Sequence, residues 1–162
     1  MRKAVAVAAA LVVLGLVNWS IASREAMLAT GRVVLLELVP IDPRSLMQGD
    51  YMALRYRLAN EAFGAARGAR PADGHMVVHV GADGVATFLR FDDGAPLAAG
   101  DVRLRYRWRE GPRFATNAYF FEEGTASRYT GARYGEFRVS DDGDMILTGL
   151  RGADLRPLEP MR

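Results

Sequence analysis

The chain has 162 residues, half of them hydrophobic, with 21 Lys+Arg against 19 Asp+Glu. Arg2 and Lys3 precede the first apolar run, so the remainder carries 19 charges of each sign and lacks the basic excess of a nucleic-acid-binding domain, despite a pI of about 9.2. The length allows one domain with a real core, and the absence of cysteine excludes disulfides, a thiolate nucleophile and a Cys-ligated zinc site.

The first element is "MRKAVAVAAALVVLGLVNWSIAS", two basic residues and then apolar side chains from Ala4 to Val17, broken only by Gly15. A helix continued to Ser23 has about twenty residues and spans about 30 Å, the thickness of the hydrocarbon core. Basic residues before it, with Arg24 and Glu25 cancelling after it, favour an N-terminus in the cytoplasm and the rest outside, with Trp19 at the outer interface. A cleaved signal peptide is the rival reading, because Ser20-Ile21-Ala22 forms a small-x-small site. The expected division is a cytoplasmic tip and transmembrane anchor over 1–30 and an exported domain over 31–162.

"REAMLATG" extends the helix and stops at Gly31, and "RVVLLELVP" reads as a strand ending at Pro40. After a bend, Met52, Leu54, Tyr56 and Leu58 alternate with Ala53, Arg55 and Arg57, the period of a half-buried strand. "ANEAFGAARGARPADG" reads as a loop with at most one helical turn. "HMVVHV", the turn "GADG" and "VATFLRF" form a hairpin. "DVRLRYRWRE" alternates Val102, Leu104, Tyr106 and Trp108 with Arg103, Arg105, Arg107 and Arg109. "AYFFEEG" is a short aromatic strand, "TASRYTGARYG" holds a helical turn, and "EFRVS", "DDGD" and "MILTGL" form a closing hairpin. The expectation is a mostly β chain: a transmembrane helix, then a small antiparallel β barrel or sandwich with short helical inserts. "LMQGDYMALRYR" and "LAAGDVRLRYR" share Gly-Asp and Leu-Arg-Tyr-Arg, which suggests two equivalent corner-then-strand units in one sheet.

The run Pro40-Ile41-Asp42-Pro43-Arg44 through Gly49-Asp50-Tyr51-x-x-Leu54-x-Tyr56, with "YFFEEG", "ARYGEFRV" and "LTGLRG" downstream, resembles the GDYXXLXY family of small bacterial membrane-anchored proteins. The resemblance covers nearly all of the exported part and implies no defined activity. It implies an N-terminal apolar segment and a place beside a multi-pass membrane protein; together with the flanking charges, the expected location is a bacterial inner membrane with the C-terminal domain in the periplasm. The positions it carries over are Asp42, Pro43, Arg44, Gly49, Asp50, Tyr51, Leu54 and Tyr56, then Glu123, Arg133, Tyr134 and Gly135.

Pro-x-x-Leu-x-x-Gly-Asp also looks like the corner after the nucleophile in signal-peptidase and repressor-cleavage serine proteases. Eight residues before Gly49, where that serine would fall, stands Ile41, and the one lysine is Lys3, before the anchor. A Ser-Lys dyad is therefore excluded from the exported domain, and Gly49 and Asp50 read as turn chemistry. His75 and His79 sit four apart on a strand, about 13 Å, too far for one metal between two imidazoles. Asp92-Asp93 and Asp141-Asp142-Gly143-Asp144 read as turns, lacking the length and terminal Glu of a calcium loop. Glu122 and Glu123 read as ion-pair partners of Arg133 or Arg44 rather than as an acid-base pair with Asp50. The arginine row 103–109 is a solvated face or guarded edge, or else a surface for anionic lipid head groups or an acidic partner.

These readings favour an accessory or interaction module for a polytopic membrane protein, without cofactor, metal or nucleic acid. The alternatives are an envelope hydrolase using Asp50 or Glu123, and a soluble periplasmic ligand-binding domain released by signal cleavage.

Overall fold

Small and apolar side chains with no proline carry helix α1 from Arg2 to Thr30, and none of its residues is buried. The computed structural model describes residues 2–39, 51–64 and 72–158. Gly31 alone separates α1 from the first strand. Its N–H donates to the Met27 carbonyl at 2.8 Å, and its own carbonyl accepts from the Arg138 guanidinium at 3.0 Å. A Cβ at Gly31 would press on the Met27 carbonyl oxygen and lie 3.2 Å from that of Val139, so the joint is closely packed on both sides.

In chain order the strands are β1 (Arg32–Glu37), β2 (Tyr51–Ala53), β3 (Gly74–Val80), β4 (Ala86–Phe91), β5 (Asp101–Trp108), β6 (Pro112–Arg113), β7 (Ala118–Phe120), β8 (Tyr134–Val139) and β9 (Met145–Arg151). Helix α2 (Arg57–Phe63) and a 3-10 turn (Ala126–Tyr129) interrupt them. They form antiparallel sheets of order β1-β8-β9 and β4-β3-β5-β6, and a ribbon β2-β7.

Alternating apolar residues from the two larger sheets meet in one core. Val34, Leu36, Phe137 and Leu150 belong to the first sheet; Met76, Val78 and Leu104 belong to the second. All are essentially without solvent contact, and burial of such side chains contributes about 1.5–3 kcal/mol each. Single bridges such as Leu35 to Val85 join the sheets at their margins, too few to close a barrel, so the architecture is a sandwich.

Three sequence expectations need correction. Met52, Leu54, Tyr56 and Leu58 are all buried, as the alternation requires, but the strand ends at Ala53, makes a single bridge from Tyr56 to Leu38 just past β1, and turns into α2 at Arg57. Leu58 satisfies both periods, because with Ala62 it forms an i, i+4 pair on the buried face of α2. The segment read as a loop from Ala59 therefore opens inside a seven-residue helix that starts at Arg57, longer than the single turn expected. Its Phe63 packs 5.1–5.3 Å from the rings of Phe91, Tyr106 and Trp108. Finally, the two Gly-Asp units do not share a sheet, since β2 pairs with β7 whereas β5 pairs with β3.

Of these two Gly-Asp corners, the second, Gly100-Asp101, lies within the described residues. Gly100 takes φ +93°, and a Cβ there would lie 2.8 Å from the His79 ring. Asp101 accepts the Ala98 N–H at 3.3 Å and bonds the His79 ring at 3.0 Å. Gly100→Ala is expected to lower the stability of the β sandwich by about 1–3 kcal/mol, from a left-handed backbone plus displacement of His79. Urea unfolding of the purified protein measures it; an unchanged midpoint would contradict the strain argument.

Candidate interaction site

The bend at 40–50, which carries Asp42, Pro43, Arg44, Gly49 and Asp50, lies outside the described residues. The motif positions beyond it, Tyr51, Leu54 and Tyr56, divide sharply by exposure. Leu54 and Tyr56 are core residues, each 2% exposed. The Leu54 N–H donates to the Asn117 carbonyl at 2.7 Å, and the Val39 N–H donates to the Arg55 carbonyl at 2.8 Å, so this stretch is held between β1 and the approach to β7.

Tyr56 is the centre of that arrangement. Its ring meets Phe114 edge-on at 5.4 Å and Phe137 at 5.8 Å, and its hydroxyl donates to the Thr116 carbonyl at 2.7 Å. Burial pushes the phenol far above its ordinary pKa, so it is neutral at any physiological pH. Gly135 provides the room: a Cβ there would lie 3.1 Å from the Phe137 ring, 3.3 Å from Leu147 and 3.6 Å from the Tyr56 ring. Two residues far apart in the sequence thus pack against one another. Tyr134 beside it is half-buried at the start of β8, opposite Glu37 in register.

Tyr51 faces outward. It stands directly across the ribbon from Phe120, ring centroids 5.8 Å apart, and the two are 41% and 73% exposed. Beneath Phe120, Tyr119 and Phe121 turn toward Tyr129 at 5.1 and 5.4 Å. Burial and the Tyr129 hydroxyl push the Tyr119 phenol up to about 12. The ribbon therefore has a packed rear and an aromatic front, bordered by Glu122 and Arg128.

Glu123 and Arg133 are not buried and, among the described residues, form no ion pair with each other. Arg133 acts through its backbone, its carbonyl accepting from Leu38 and its N–H donating to the Arg151 carbonyl, both at 2.8 Å. The half-buried carboxylate of this region is Glu136, which accepts from Arg151 Nε at 2.6 Å.

The arginine row is largely neutralised within the fold. Arg103 donates to Asp92 at 2.6 Å, Arg105 to Asp144 at 2.8 Å and Arg109 to Asp73 at 3.1 Å. The Arg103 hydrogen bond holds the Asp92 carboxyl below the usual carboxylate range; for Asp73 the Trp108 backbone N–H is the leading cause, with Arg109 adding to it. Arg107 is the member with no carboxylate partner among the described residues. His75 and His79 lie on β3 with separate surroundings, and no group of three or more metal-ligating side chains occurs among the described residues.

Sequence reasoning missed Phe120, Phe114 and Thr116. The run Tyr119-Phe120-Phe121 was a visible aromatic signal, but which ring turns outward depends on the β2-β7 register.

The family model described as GDYXXLXY: GDYXXLXY protein matches residues 13–150. No curated protein and no solved structure matches the chain.

Proposed function

Because the chain belongs to the GDYXXLXY family, its match running from inside α1 to the last strand, we propose that it is a membrane-anchored interaction module whose β sandwich serves a polytopic membrane protein. The observation that carries this reading is an apolar helix long enough to cross a bilayer and left uncovered by the domain it leads into. The helix runs unbroken through Ser20-Ile21-Ala22, which favours a retained anchor over a cleaved leader. The charge pattern around it favours an exported sandwich, in the periplasm of a bacterial inner membrane, as a unit over 31–162.

The Tyr51-Phe120 pair is the surface this reading assigns to the partner. Within the described motif residues Leu54 and Tyr56 are consumed by the core, whereas Tyr51 is available, and exposed aromatic rings are the usual anchors of protein contacts. Glu123, three residues beyond Phe120 in the chain, belongs to the same proposed surface.

A photoreactive residue at position 51 in intact membranes is expected to capture a multi-pass membrane protein, and the same residue at exposed Leu89 is not. Capture from both positions alike, or from neither, would remove the assignment.

A further inference from the structure

The groove at the base of α1 has a composition that the partner surface does not explain. Its helical side presents Ser20, Ser23 and Arg24; its sandwich side presents Arg105, Arg107, Arg113 and Asp144, around a cavity of about 350 Å³. Four arginines stand against one aspartate, and that aspartate is engaged by Arg105. Among the described residues Arg24, Arg107 and Arg113 have no carboxylate within salt-bridge distance. Met27, Phe114 and Met145 give the groove an apolar floor beside this charge.

The depth of the groove identifies what meets it. If the hydrocarbon core takes the helix from Ala4 to Ser23, about 30 Å, then Arg24 stands at the start of the head-group layer, which is about 5–8 Å thick on each side. Guanidinium groups recognise phosphate oxygens by paired, charge-assisted hydrogen bonds, and hydroxyls and apolar side chains suit the glycerol and upper acyl carbons.

We propose that this groove binds the phosphate of an anionic phospholipid in the leaflet that α1 leaves, fixing the sandwich against the membrane surface. The proposal rests on the reading that α1 spans the bilayer. A free anion offers the same chemistry, but the position of the groove at the lipid boundary selects the lipid as its source.

The test uses the full-length protein, reconstituted in vesicles of phosphatidylcholine alone or mixed equally with phosphatidylglycerol. Flotation with both vesicles reports the span itself. Lipid retained on the protein after transfer to detergent, counted by native mass spectrometry, reports the groove. Wild type is expected to retain phosphatidylglycerol over phosphatidylcholine by about tenfold, given three unpaired arginines at a charged surface. Arg107→Glu/Arg113→Glu, and separately Arg24→Glu on the exposed helix face, are expected to bring that ratio near one without altering flotation. Arg24 lies outside the sandwich core, so its variant remains informative should the double variant fail to fold. Equal retention of both lipids by wild type, or a preference surviving in Arg24→Glu, would overturn the proposal while leaving the anchor standing. Displacement of phosphatidylglycerol by millimolar inorganic phosphate would overturn the lipid as source. Failure of wild type to float would remove the span and the proposal with it.

Discussion

Tyr56→Ala is expected to lower the unfolding free energy of the sandwich by about 3–5 kcal/mol, the usual cost of emptying a large aromatic site in a core. The loss combines the contacts to Phe114 and Phe137 with a Thr116 carbonyl left without its donor. Since small domains have total stabilities of about 5–15 kcal/mol, the loss removes a large share of the total. Tyr56→Phe separates the two parts: it keeps the ring packing and removes only the hydroxyl, for an expected cost of about 1–3 kcal/mol. Urea denaturation followed by tryptophan fluorescence measures both, and a Tyr56→Phe variant as damaged as Tyr56→Ala would show that the hydrogen bond, not the ring, organises the site.

The second large effect concerns the proposed anchor, α1. Val13→Arg/Leu14→Arg places two guanidinium groups near the centre of the apolar stretch, each unfavourable by about 2.5–3.5 kcal/mol on insertion scales. The doubly substituted chain is expected to leave the carbonate-resistant membrane fraction, whereas the same two substitutions at the surface positions Thr87 and Leu89 should not alter fractionation. Persistence of the doubly charged helix in washed membranes would mean that something other than its own transfer into lipid retains the protein.

How much of the fold is legible in the sequence depends on the range of the interactions involved. The hairpins were legible because their signals are local: alternation in Val102, Leu104 and Tyr106, and Asp-Gly turns at 83–84 and 142–143, where the glycines take φ +82° and +83°. The long helix was legible for the same reason, one apolar composition sustained over its whole length. What escaped depended on pairing between distant segments. Leu58 fits a strand and a helix equally well, and only the docking of α2 over Phe91 and Tyr106 decides between them. Barrel and sandwich have the same hydrophobic pattern and differ in how strands meet at the margins.

The candidate site divides in the same way. Family resemblance marked Tyr51, Leu54 and Tyr56 together, yet burial assigns the latter two to the core and leaves Tyr51 outside. Gly135 carries no charge or reactive group, and its part is visible only once Tyr56 is found against it. The arginine row suggested a continuous cationic face, but Asp73, Asp92 and Asp144 come from three separate loops, and no spacing in the sequence announces those pairings.

The joint at Gly31 limits where this molecule can act. With one residue between helix and sheet, and Arg138 clamped to its carbonyl, the sandwich has no leash on which to wander. It sits like a fitting screwed onto a post, sweeping only the collar of space beside its own helix. On the proposed anchor, whatever it touches comes to it by lateral diffusion in the plane of the bilayer or itself projects close to the surface, and a target standing far above the lipid is out of its reach.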